Sequence, residues 1–323
     1  MKSTRAIIIT LSGFIMLATS FNPAKHASVA LDAMILYGTV ILPSLLPFFF
    51  FSNILTNLNV AKSLNWLFIK PARVLFNAPS ASIYILISSF LSGYPTGAKL
   101  ISDCYAHGQI TKHEASSVIS FTSTSSPFFL LGAIGIGMLD NLKAGYILLI
   151  THYISAILNG IVFRNRKPVQ RLPCSATLEF SVNWAEILND STKSSVSAIL
   201  IIGTFVVVFN VILSVLVEIN FVSILASTLS KCGMPYTTGY GIVSSIIETT
   251  RGTQILSNSE LPIKTMLPII AAMVAFGGSS IALQSYAFLH KCGIPFSRYL
   301  LTKMSQSIIS YLICWLACQL LLN

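Results

Sequence analysis

The sequence predicts an all-α integral membrane protein built from two inverted repeats. Each repeat carries a re-entrant helical hairpin and a broken helix, and one extra helix precedes them. Three observations carry that prediction: an apolar composition, a pair of interrupted apolar segments at a constant offset, and a lopsided distribution of cations. Of 323 residues, 54% are apolar and only 9% charged, and the mean hydropathy is +0.77. Soluble domains carry about 25% charged residues.

The elements follow in chain order. Apolar runs long enough to span occur at about 6–21, 34–57, 114–139, 142–163, 196–217, 265–290 and 300–321. Lys2 and Arg5 precede the first, and Ala18-Thr19-Ser20 at its end resembles a cleavage site; a retained first helix or signal anchor over 1–28 is the favoured reading. Segments 80–106 and 236–257 are apolar but broken near their middles by Gly, Pro and Thr, and each then turns polar. Amphipathic pieces at 60–76 and 220–231 precede them and read as helices lying along the membrane surface. The basic stretch 165–185 reads as a cytoplasmic linker between a first repeat at 29–164 and a second at 186–323.

The two broken segments correspond at an offset of 155 residues. Leu91-Ser92-Gly93-Tyr94-Pro95-Thr96-Gly97 aligns with Ile246-Ile247-Glu248-Thr249-Thr250-Arg251-Gly252, and Phe121–Ser126 falls on Phe276–Ile281. Identities are few (Gly97/Gly252, Ser102/Ser257, Phe121/Phe276, Ser125/Ser280), but the order of broken and unbroken segments is shared. Treating both as hairpins that return to the side they entered places fourteen cations inside, among them Lys112, the Arg164–Arg171 cluster and Lys303. Only Lys25, Lys143, Lys231 and Lys264 fall outside. That positive-inside bias gives each repeat an odd number of crossings and inverts the second copy. The net charge of +10 thus reports orientation, and no nucleic-acid partner is expected; membrane lipids are.

Paired helix interruptions in corresponding halves point to a transporter's binding site. Ser126 before Pro127 is an N-cap with proline at the first helical position. Thr96 is expected to cap the second arm of the first hairpin, Thr249 or Thr250 that of the second, and Ser279 or Ser280 the helix after Gly277-Gly278. Four half-helix N-termini would then offer N–H groups and dipole ends to an anion. Arg251 at the second tip and Lys99 just past the first are intramembrane cations, which usually serve function. The alternatives are that Lys99 snorkels to the surface and that Arg251 pairs with Glu248 as a staple; otherwise Glu248 is a proton or cation site. Hydroxyls at Ser123, Ser125 and Ser126 can bond a polar solute or pack helices, and Gly97 completes the candidate set.

Other features read as structural. Gly132–Gly137 is a packing face, His152 a buried hydrogen-bonded histidine, and Lys231-Cys232-Gly233 and Lys291-Cys292-Gly293 are helix stops. Cys314 and Cys318, four apart, can face one another. The six cysteines form no CxxC pair, and no phosphate loop, HExxH or hydrolase elbow occurs. Neither an enzyme nor a cofactor is expected.

Pro43–Phe48, Leu91–Leu100, Ser126–Phe129, His152-Tyr153, Glu248–Gly252 and Phe276–Ser279 together resemble the YlbJ family of sporulation integral membrane proteins, within the nucleoside-recognition (Gate) superfamily. Gate domains are similar to the core of concentrative nucleoside transporters. The resemblance implies a mother-cell protein that moves dipicolinic acid across the outer forespore membrane. Large carriers with hairpins are often oligomeric, so a homo-oligomer is a further expectation. The chain departs from it at Ser123–Ser126, where the family leads one to expect an Asn or Cys. The runners-up are a carrier of nucleosides or other neutral solutes, and a sporulation scaffold that transports nothing.

Overall fold

The computed structural model describes residues 2–58, 65–167 and 183–322. Helix α1 (Lys2–Phe21) stands first. A helical path then runs unbroken from α2 (Pro23–Leu36) through a π-wound turn, Tyr37–Ile41, into α3 (Leu42–Asn57). Next come the short α4 (Asn65–Pro71) with its π-wound extension Ala72–Phe76, and the hairpin α5 (Ala81–Ser92) and α6 (Thr96–Ala106). A broken helix follows, α7 (Lys112–Thr122) and the π-wound α8 (Phe128–Met138), and then α9 (Leu142–Val162). The same order of element types recurs. Long α10 (Trp184–Glu218) leads to the short α11 (Phe221–Lys231) and the hairpin α12 (Tyr236–Ile247) and α13 (Thr249–Ser257). Broken α14 (Ile263–Phe276) and α15 (Gly278–Leu289) precede α16 (Phe296–Leu321). At the 155-residue offset α5 falls on 236–247, the bounds of α12.

Among the described residues four helices are long and apolar enough to cross a membrane, or five if one bent pair is a single span. This corrects the seven apolar runs. The run 114–139 is divided at Ser123–Ser126, and 6–21 and 34–57 yield only short apolar helices, while the run 265–290 stands as a span over Ile263–Cys292. The bent pair turns by 88° between Trp66–Phe76 and Ala81–Ser92, so this amphipathic segment lies square to the first arm of the hairpin. Its Trp66 and Leu67 are exposed while Phe68, Ala72 and Phe76 are buried. Most of the expected linker, 168–182, lies outside the described residues, and Asn183 already caps α10 through Glu186 N.

Between helices in lipid, close packing and small residues replace the hydrophobic effect. Gly135 of α8 and Gly145 of α9 meet backbone to backbone, a Cβ on Gly135 falling 2.8 Å from Gly145 Cα. Gly160 faces the stacked rings of Phe76 and Phe121, 3.9 Å apart. Two larger cores mix the halves: α4–α7 pack with the end of α15 and the start of α16, while α8 and α9 pack with α13, α14 and α16. The expected helix stops hold, Gly233 and Gly293 taking φ +90° and +67°.

Candidate functional site

Buried backbone groups need partners, and the first break shows where they come from. Between α7 and α8, Thr122 O accepts from Ser89 Oγ, and Ser123 O accepts from Lys303 Nζ at 2.8 Å. Ser125 N donates to His152 Nε2 at 2.9 Å, which puts the His152 proton on Nδ1. Ser126 Oγ accepts from Phe129 N at 3.3 Å, the cap read from Ser126-Pro127. One turn before the break, Asn159 Nδ2 donates to Ser120 O and, across the molecule, to Thr302 O. The hairpin tip seats directly on the break. Gly93 (φ +82°) has no room for a Cβ, which would fall 2.8 Å from Ser126 N, and a Cβ on Gly97 would overlap the Thr122 carbonyl.

The second tip seats on its own break in the same way. A Cβ on Gly278 would lie 2.7 Å from Thr249 Oγ1, and Ser279 Oγ donates to Ile246 O at 2.9 Å. The caps differ from expectation, however. Glu248, not Thr249 or Thr250, caps α13: its carboxylate accepts from Thr250 N at 3.2 Å and Arg251 N at 2.7 Å. Glutamate is long enough to fold back onto the second and third N–H groups, and its charge suits the positive helix end. Thr96 caps nothing; its buried hydroxyl has no partner among the described residues. Neither Ser279 nor Ser280 caps α15, because Ser279 bonds Ile246 O and Ser280 Oγ accepts from Gln284 Nε2. Gly277 takes φ +86° and ends α14 instead.

Neither candidate cation takes the structural alternative raised for it. Lys99 does not snorkel: it is buried, 2.8 Å from Asp103 Oδ2 and 3.0 Å from Asn53 Oδ1. Arg251 is not stapled to Glu248, which takes its backbone N–H alone. Its guanidinium is exposed and donates to Gln254 Oε1 at 3.1 Å. Glu248, Thr250, Arg251 and Gln254 border a partly open cavity of about 520 Å³ walled by α2, α10 and α12. Asp32, Asn210, Ser214, Tyr240 and Ser244 also line it; Ser244 Oγ is buried without a partner among the described residues. The candidate residues therefore separate. Glu248, Thr250 and Arg251 line this cavity; Thr249, Gly277, Gly278, Ser279 and Ser280 form the packed seam beside it. Thr96, Gly97, Lys99, Ser123, Ser125 and Ser126 belong to the first tip and break.

Sequence reasoning missed Lys303. Counted among the inner-loop cations, it is 1% exposed and bonded to Tyr94 Oη, Ser123 O and Gln306 Oε1. The signal was present: Tyr299, Thr302, Lys303, Gln306 and Ser310 recur at helical spacing and are all buried, while Leu301, Met304, Ile308 and Leu312 are exposed. A polar stripe on an otherwise apolar helix faces the bundle interior. Cys314 and Cys318 continue that stripe with Sγ atoms 3.9 Å apart.

Twin hairpins seated on twin broken helices, around a polar interior, define an integral membrane protein with a transporter-like fold. The fold is that of CNTnw, a concentrative nucleoside transporter. The chain superposes on a doubly substituted CNTnw in an outward-facing state with TM-score 0.58 and 13% identity, covering 96% of this chain and 85% of that one. A singly substituted CNTnw in an intermediate state gives 0.54 and 14%, covering 99% and 86%. In sequence the chain is similar to the sporulation integral membrane protein YlbJ of Bacillus subtilis (strain 168). They are 26% identical over 330 residues, spanning 95% of this chain and 81% of the relative. No family model matches.

Proposed function

We propose that the chain is a membrane carrier for a small carboxylate-bearing anion, dipicolinate foremost, bound in the cavity at the second hairpin tip. Arg251 carries this reading. Its guanidinium is exposed beside a cavity of about 520 Å³, within the range of small-molecule sites, roughly 300–1,000 Å³, and its planar fork matches a carboxylate. Thr250, Gln254, Ser244 and Tyr240 supply further hydrogen-bonding groups, and Glu248 fixes the turn that presents Arg251. Lys99 is left out, being paired with Asp103. The setting supports the solute: the relative is a sporulation membrane protein, and the family resemblance implies dipicolinate. In this reading 29–164 and 186–323 are the two repeats, and movement of the second hairpin opens the cavity to one side.

A neutral solute such as a nucleoside is the second reading, favoured by Asp32 and Glu248 at the same cavity. Calorimetric titration of the purified protein with dipicolinate and with a nucleoside separates the two. Charge-assisted hydrogen bonds are worth about 1.5–3 kcal/mol, so Arg251→Ala is expected to weaken dipicolinate binding tenfold or more. In a sporulating host the same variant should deplete spore dipicolinate at normal membrane levels. Binding of the nucleoside alone, or dipicolinate binding indifferent to Arg251→Ala, overturns the assignment.

A further inference from the structure

Lys303 is a buried lysine whose Nζ has only neutral oxygens as partners. Nζ lies 2.8 Å from Ser123 O, Tyr94 Oη and Gln306 Oε1, and no carboxylate pairs with it among the described residues. An ammonium has three donors and no acceptor, so this cage satisfies it completely. Tyr94 is free to accept because its own hydroxyl hydrogen is directed at Val274 O and Ala275 O, 3.3 and 3.4 Å away.

Charge balance explains the missing counter-ion. Ser123 caps the C-terminal end of α7, and Val274 and Ala275 lie in the last turn of α14. A helix C-terminus is equivalent to roughly −0.5 elementary charge. Two such ends, one reached directly and one through Tyr94, offset about one positive charge. In transporters with broken helices, freed carbonyls and half-helix C-terminal ends are where a free cation binds. Here a side chain reaches that position first.

We propose that Lys303 is a tethered cation filling a cage that, without it, takes a free alkali ion. Ser123 O, Tyr94 Oη and Gln306 Oε1 are the hard oxygen ligands such an ion requires, and truncating the lysine leaves the space. The inference concerns this cage alone and holds for either class of solute above.

The test is thermal unfolding of the purified protein in sodium against N-methyl-D-glucamine chloride at equal ionic strength. Lys303→Ala is expected to gain several degrees in sodium, because an ion that binds only the folded state stabilises it. Wild type and Lys303→Met, whose side chain refills the cage with apolar volume, are expected not to respond. An unresponsive Lys303→Ala overturns the proposal, as does a wild type that responds as strongly as the variant. If Lys303→Ala does not survive extraction, its protease resistance in isolated membranes washed in the two salts replaces the melting curve. Sodium-dependent protection then supports the tethered cation, and equal digestion overturns it.

Discussion

Replacing Glu248 by alanine removes the acceptor of two backbone donors at once. Thr250 N and Arg251 N reach its two oxygens at 3.2 and 2.7 Å in a side chain that is 3% exposed. Loss of an N-cap costs about 0.5–2 kcal/mol, and a charge at a partly buried helix start adds up to about 2 kcal/mol. For a buried carboxylate serving two donors the upper halves of both ranges apply, about 3 kcal/mol in all. Glutamine keeps one acceptor oxygen and loses the charge, for about half that loss. The cost falls on α13 first, because a helix of 9 residues is too short to stand without its cap and packing. Hydrogen exchange followed by mass spectrometry reads the effect locally. Amides of 249–257 should exchange about a hundredfold faster in Glu248→Ala, since each 1.4 kcal/mol is a factor of ten, while α9 peptides keep their wild-type rates. Unchanged exchange in α13 would refute the capping role, and equal damage from Gln and Ala would refute the contribution of charge.

Two further outcomes follow from close contacts. Gly97→Ala should lower the melting temperature sharply, because its Cβ overlaps the Thr122 carbonyl; Gly132→Ala, whose Cβ meets nothing nearer than 3.9 Å, is the silent control. His152→Leu strands the buried Ser125 N–H at a cost of about 1–3 kcal/mol, read as a lower melting temperature and faster exchange at the first break.

The hairpins and broken helices were legible because Gly, Pro, Ser and Thr interrupt runs that are otherwise apolar. In lipid an interruption has few structural meanings. The 155-residue offset then placed α12 on the image of α5. The chemistry at the breaks was less legible, for two physical reasons. Capping preferences favour short side chains, which pointed to Thr249 and Thr250 and concealed that Glu248 reaches back onto its own helix. The partners of buried cations also come from distant elements: Asp103 is four residues from Lys99, but Asn53 is on α3, and Tyr94 and Ser123 are far in sequence from Lys303. Arg298, Tyr299 and Lys303 together look like the basic edge of a loop. Only the helical spacing from Tyr299 to Ser310 shows which way that face turns.

The Lys303 ammonium and the Glu248 carboxylate also bear on how voltage acts on the protein. Both are anchored to backbone elements, one beside two helix C-termini and the other at a helix N-terminus. Across a bilayer, 100 mV does roughly 2.3 kcal/mol of work on each elementary charge that crosses completely. The anchored pair feels that field only over the distance its helices travel, whereas a bound ion feels all of it. In the proposed carrier, current measured per turnover would therefore count the charge of the cargo.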